Sequence, residues 1–221
     1  MPAVVCPSCG AEVPLRSVGL PYAVCAYCQS IIIRGDVPQV VGKSAVVPFD
    51  VSPIQIGSEI EHGGSPYTVI GRVRWGWSQG SWNEWLLRGA DGSTRWLGEA
   101  MGTFMLLAEH PASLDEPLAR DFAKGQSIAL HAAIDVEGTR FEATDIKQAA
   151  CLGGEGDLPF PASLDWTMAS VDFRSIDGRA FNLQRDAQGT TAWLGSYANL
   201  TELKPRNLRV LEGWKIPAKL Q

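Results

Sequence analysis

The chain has 221 residues, of which 45% are hydrophobic and 19% are charged. This composition is ordinary for a globular protein and excludes a largely disordered one. The net charge of −5 disfavours proteins that bind nucleic acid or anionic membranes through a general basic surface. No apolar run reaches the ~18 residues that span a bilayer, and the first residues do not resemble a signal peptide. We therefore expect a cytoplasmic protein without membrane insertion.

The 23 glycines and 14 prolines favour short strands and turns over long helices. We expect a mainly β fold, in which an N-terminal four-cysteine zinc ribbon is followed by two related small β-barrel or sandwich-like units. The expected boundaries are 1–35 for the ribbon, 36–52 for a linker, 53–110 for the first β unit, 111–124 for a connector, 125–205 for the second, divergent β unit and 206–221 for a C-terminal tail.

The zinc ribbon is predicted from two C-x-x-C pairs, Cys6 with Cys9 and Cys25 with Cys28. Each pair aims two thiolates at one point, and this spacing is typical of a structural zinc site. A segment this short buries too little apolar surface to fold alone, so the metal would stabilise it by roughly 10–16 kcal/mol. Iron also fits thiolate ligands, and a disulfide or a metal-free segment remains an alternative.

Residues 1–50 carry three basic and three acidic side chains. A zinc ribbon without a basic face lacks the main source of affinity for nucleic acid. Contact with another protein is therefore the favoured role of this segment.

The first β unit contains four tryptophans in one run, WGWSQGSWNEW. We predict a hairpin that pairs Trp77 with Trp82 around a turn at residues 78–81 and places Trp75 opposite Glu84. On the other face, Arg74 would meet Trp85 as a cation–π pair.

Trp77 and Trp82 are predicted to form an exposed pair near the hairpin tip, suited to anchoring a partner. The alternative is that they pack between the two β units or against the zinc ribbon.

The second β unit is predicted from an internal repeat. Residues 84–100 and 181–197 share eight of seventeen residues at an offset of 97. Upstream, an offset of 74 aligns Ile60 with Ile134 and Tyr67 with Phe141. The second copy then needs an insertion of about 23 residues near LGGEGDLPFPAS. We expect that stretch, which carries Glu155 and Asp157, to be a solvated loop.

Between the units, the connector offers one short helix, for which Ser113 is the expected cap.

The first unit carries the motif W-x-E-W-x-L (Trp82, Glu84, Trp85, Leu87), then Asp91-Gly92 and Trp96-Leu97. In these motifs it resembles a bacterial family called domain of unknown function 4178. The resemblance covers 54–109 well and 125–205 weakly, because the second copy lacks W-x-E-W. The resemblance implies an accessory role near polyamine-type or envelope-stress genes and brings no catalytic residues with it.

The leading hypothesis is a non-catalytic, zinc-containing adaptor that docks another protein through Trp77 and Trp82. The alternative is a small-ligand binder or enzyme with a pocket between the β units, for which Glu84, His131 and Cys151 are candidate residues. None of the histidines stands at a metal-ligand or catalytic-triad spacing. Cys151 is interpreted as a small core residue rather than as a nucleophile. The hypothesis of an enzyme is therefore less favoured.

Overall fold

The computed structural model describes residues 2–45, 52–213 and 215–217. Residues 46–51 of the predicted linker, and 214 and 218–221 of the predicted tail, lie outside the described residues. The strands are β1 Ala3–Val5, β2 Glu12–Pro14, β3 Tyr22–Val24, β4 Ser30–Ile33, β5 Gln39–Lys43, β6 Glu59–His62, β7 Ser65–Trp77, β8 Gly80–Gly89, β9 Thr94–Ala100, β10 Thr103–Glu109, β11 Ala133–Val136, β12 Thr139–Leu158, β13 Thr167–Ser175, β14 Arg179–Arg185 and β15 Thr190–Ala198. A 3-10 turn at Pro111–Asp115 precedes helix α1 at Pro117–Ala123.

The predicted mainly β fold is confirmed. Apart from the β1–β2 hairpin, the strands join in one sheet, in which the order β12-β13-β14-β15-β10-β9-β8-β7 is closed by pairing of β7 with β12. Eight antiparallel strands therefore form a ring, and four of them come from each predicted β unit. The two units share this sheet.

Two seams join the halves of the ring, and each contains a glycine against a carbonyl of the opposite strand. A Cβ on Gly71 of β7 would lie 2.1 Å from the Asp157 carbonyl oxygen of β12. A Cβ on Gly195 of β15 would lie 1.9 Å from the Leu106 carbonyl oxygen of β10. Neither approach leaves room for a side chain, so glycine is required at both seams.

The outer surface of the ring is covered on both halves. On one half, Phe122 of α1 belongs to a buried cluster with Phe173, Phe181 and Leu183. On the other half, Trp85, Leu87 and Leu97 pack with Ile54 and Leu203, which lie before β6 and after β15. Because side chains alternate along a strand, the neighbouring positions point into the ring.

The sequence alignment of the two units agrees with the structure only at their first hairpin. Ile60 faces Tyr67 in the β6–β7 hairpin, and Ile134 faces Phe141 in the β11–β12 hairpin, as the offset of 74 predicts. The offset of 97 aligns β8 with β14, whereas the order of strands in the ring makes β13 the counterpart of β8. The side chains differ accordingly, because Leu86 lies inside the ring, in a buried cluster with Trp75 and Met168, whereas Leu183 lies in the outer cluster under α1.

The expected loop near residue 155 is wrong, because residues up to Leu158 continue β12. Its carboxylates are used structurally. Asp157 is 1% exposed, and Glu155 lies 3.5 Å from the guanidinium of Arg72. The expected cap is also displaced, since α1 begins at Pro117 after Glu116, and Ser113 instead contacts His110.

None of the helices in the described ranges has the length and apolar character that crossing a membrane would require.

Replacing Gly71 by alanine should destabilise the protein by about 1–3 kcal/mol, because the new methyl group overpacks the β7–β12 seam. The matched control is Gly98→Ala in β9, where the added Cβ would meet its nearest atom at 3.6 Å. The free energy of unfolding in urea measures both effects. Equal midpoints for Gly71→Ala and Gly98→Ala would contradict the close approach at the seam.

Candidate functional site

The tryptophan hairpin forms with a different register from the predicted one. Trp75 pairs with Trp82 and Trp77 with Gly80, so the turn contains two residues, 78 and 79. The register differs by two residues, which leaves every side chain on its predicted face. The cation–π partner of Trp85 is consequently Arg72, whose guanidinium carbon lies 4.8 Å from the ring centroid.

The ring of strands surrounds a partly open cavity of about 500 Å³. All eight strands of the ring contribute to its wall. Six tryptophans line it: Trp75, Trp77, Trp82, Trp96, Trp166 and Trp193. Trp77 and Trp82 are half-buried in this wall, which differs from the exposed pair that we expected.

The aromatic rings of the wall form a continuous chain of contacts, each ring touching the next. The Trp75 centroid lies 6.4 Å from that of Trp82 and 4.9 Å from that of Trp166. Phe160 lies 4.4 Å from Trp166 and stacks on Trp96 at 5.7 Å. The result is a continuous, rigid apolar surface on one side of the cavity.

Glu84 fixes the orientation of two tryptophans of this wall through hydrogen bonds to their indole N–H groups. Its carboxylate accepts hydrogen bonds from Trp75 Nε1 at 2.9 Å and from Trp82 Nε1 at 3.2 Å. A third bond comes across the ring from Gln184 Nε2 at 2.9 Å. Burial raises the pKa of Glu84, and these donated bonds oppose the rise.

A second group of polar side chains lines the cavity on β12, β13 and β14. Asp172 accepts a hydrogen bond of 2.6 Å from Asn182 Nδ2, and Lys147 forms an ion pair with Asp145. Burial is the main cause that raises the pKa of Asp172 to about 7, and the charges of Asp145 and Glu84 act in the same direction. Lys147 and the bond from Asn182 act against them.

Of the three candidate residues for a pocket, Glu84 alone lines this cavity. His131 is exposed in the segment before β11. Cys151 is buried beside Trp75 in the β7–β12 seam. Burial raises the pKa of its thiol to about 11, so the group is protonated at neutral pH and is not an activated nucleophile.

Sequence reasoning missed Asp172, Asn182 and Gln184 as site residues. They stand on strands that pair with each other, but nothing in their spacing shows that they face Glu84 across the ring. The alternation of Phe181, Asn182, Leu183 and Gln184 was the available signal, because it places polar side chains on the face opposite a core.

The four cysteines meet at one point. Their sulfur atoms all lie within 4.8 Å of one another, with Cys6 and Cys28 at 3.6 Å and Cys9 and Cys25 at 3.7 Å. A tetrahedral zinc ion with Zn–S bonds of about 2.3 Å requires sulfur separations of about 3.8 Å. The donor set therefore fits a metal ion that favours tetrahedral thiolate ligation.

The cysteine segment is attached to the ring through β12. Strand β3 extends the sheet by pairing with β12 at residues 156–158. The buried Asp157 carboxylate accepts hydrogen bonds from the backbone N–H groups of Arg16 at 2.7 Å and Ser17 at 2.6 Å. Leu20, which lies between the two cysteine pairs, lines the cavity. The cysteine segment thus completes part of the cavity wall.

Together these features define a cavity-bearing β protein with a separate cluster of four cysteines whose spacing could hold a metal ion. The model of one protein family, described as Domain of unknown function (DUF4178), matches residues 55–200. The chain belongs to that family, as the tryptophan and glycine motifs of its first β unit indicated. Comparisons with curated proteins and with solved structures gave no match.

Elemental analysis of the purified, reduced protein should find one metal ion per chain, and Cys25→Ala should lose it, because three thiolates hold such an ion much more weakly than four. Cys151→Ala is the matched control and should keep the ion, since Cys151 lies in the β7–β12 seam. Wild-type protein without metal, or equal metal content in both variants, would contradict a four-cysteine site. The same measurement distinguishes zinc from iron.

Proposed function

We propose that this protein is a non-catalytic binding module that holds a small organic molecule inside the ring of strands. The observation that carries the proposal is the partly open cavity of about 500 Å³ inside the ring. This volume falls within the range of ligand pockets, which combine an apolar wall with a few polar groups that orient the ligand.

The side chains of the cavity wall are better suited to binding a ligand than to stabilising the fold. A ring whose purpose was stability would be filled by close-packed apolar side chains. Here the outer clusters are filled in that way, whereas the inner face carries Glu84, Asp172, Asn182 and Gln184 beside the tryptophans. Burying these polar groups costs free energy, and contact with a ligand accounts for their position.

The adaptor function is a second candidate. It is supported by exposed apolar side chains on the cysteine segment, outside the cavity. On the cysteine segment, Val18 is 79% exposed and Tyr27 is 78% exposed. We infer that a protein partner would dock there, and that zinc at the four cysteines would shape this surface. Trp77 and Trp82 serve docking less well than the sequence suggested, because their rings belong to the cavity wall. A cytoplasmic location and the operon context remain predictions.

The cavity can be blocked by Gly98→Leu, which adds a side chain to a residue of its wall. Immobilised wild-type protein should retain one or more small molecules from an extract of the source cells, and the blocked variant should not. Mass spectrometry of the molecules released by denaturation measures retention.

The matched control is Gly35→Leu, where a Cβ would meet its nearest atom, the Val37 carbonyl oxygen, at 3.9 Å. It should retain the same molecules as the wild type. Retention of an identical set by the blocked variant, or of nothing by the wild type, would remove the support for a ligand inside the ring. The protein fraction of the same experiment, repeated with Tyr27→Ser, tests the adaptor function.

A further inference from the structure

We propose that the cavity binds an organic cation, a protonated amine on an apolar body, with its ammonium group beside Glu84 and Asp172. This inference rests on the proposed function, because it names the chemical class of the ligand for the same cavity. Two independent features of the wall support it: its charge and its aromatic faces.

The described residues that line the cavity carry six carboxylates and one cation. The carboxylates are Glu84, Glu99, Glu109, Asp145, Asp172 and Asp186, and the cation is Lys147. Lys147 is held by Asp145. Glu99 accepts hydrogen bonds from Trp85 and Asn83, and Asp186 accepts one from Trp166. The three donors to Glu84 are likewise neutral N–H groups, so none of these bonds supplies a positive charge.

Glu84 of β8 and Asp172 of β13 line the cavity from different halves of the ring, and the one cation among the described lining residues, Lys147, is paired with Asp145. Glu84 and Asp172 are each enclosed, and the charge of Glu84 disfavours ionisation of Asp172. Enclosing two interacting carboxylates is unfavourable unless a positive charge compensates them. A ligand ammonium group between them would supply that charge, whereas an anionic ligand would add to the repulsion.

The aromatic part of the wall also favours a cation. Indole faces attract ammonium groups that lie within about 6 Å of the ring centroid. The chain itself shows this contact, because Lys147 Nζ lies 5.2 Å from the centroid of Trp77. The wall beside Trp75 and Trp82 can accept a second ammonium group in the same way and cover its apolar body.

Asn182 fixes the position of the Asp172 carboxylate at the cavity. Its side chain is 2% exposed, and its Nδ2 donates hydrogen bonds to Ser170 and to Asp172. The Asp172 carboxylate is therefore already oriented before a ligand arrives, which reduces the cost of ordering it on binding.

Hexylammonium and hexan-1-ol form a matched pair of probes, because they have the same chain and differ mainly in charge. Calorimetric titration of wild-type protein at pH 8 should show hexylammonium binding at least about tenfold more tightly than hexan-1-ol. Asp172→Asn should weaken hexylammonium by about tenfold and leave hexan-1-ol unchanged, since it removes the charge but keeps the shape. Asp121→Asn, on the exposed surface of α1, is the control for net charge and should change neither.

A second test measures how the affinity of wild-type protein for hexylammonium depends on pH, and it requires no substitution. The charged and titratable groups that act on Asp172 are Glu84 on β8, Asp145 and Lys147 on β12, and Tyr197 on β15. In the free protein the pKa of Asp172 is about 7, and a bound cation favours the ionised form. Binding below pH 7 must therefore release a proton. The affinity for hexylammonium should rise about tenfold from pH 6 to pH 8 and then level off.

The inference would be overturned if hexan-1-ol bound as tightly as hexylammonium. It would also be overturned if the affinity for hexylammonium changed neither with pH nor in Asp172→Asn. Either result would leave a ligand-binding cavity in place. The inference would also be wrong if neither probe bound and the molecules retained from the cell extract were neutral or anionic. Loss of retention from the extract altogether would instead remove the proposed function.

Discussion

The architecture depends on the backbone pairing between β7 and β12. This contact converts a row of antiparallel strands into a closed ring, and without it the tryptophans of β7 would lie at an open sheet edge. The approach is close because Gly71, Gly154 and Gly156 lie in the paired stretch. Strand β12 also pairs with β13 and with β3, so one long strand joins both halves of the ring to the cysteine segment.

Closure of the ring gives its two faces different roles. The outer face is covered by α1 and by the segments that flank the strands, and it supplies two closely packed apolar clusters. The inner face carries a further apolar cluster, to which Val73, Leu86 and Met168 belong, and the cavity lies beside this cluster. Carboxylates can be kept inside the ring only because indole and amide N–H groups are aimed at them, as they are at Glu84.

The cysteine segment is linked to this interior by one buried carboxylate. Asp157 holds the backbone of residues 16 and 17, and Arg34 lies 3.7 Å from the same oxygen. Burial raises the pKa of Asp157, while the backbone bonds and the nearby arginines lower it. Folding of the segment around four thiolates therefore also positions Leu20 at the cavity. The cysteine segment thus contributes to the cavity wall although none of its four cysteines lines the cavity.

The sequence by itself determined the grouping of the four cysteines, the mainly β class and the hairpins, because these follow from local spacing and alternation. It also placed Trp77, Trp82 and Glu84 on one face, since a register error of two residues preserves the faces of a hairpin. The tertiary structure decided what that face meets. Asp172, Asn182 and Gln184 come within reach of Glu84 only through ring closure, which pairs strands distant in sequence. No local pattern records such a contact, because the closing hydrogen bonds are made by backbone atoms that every residue possesses.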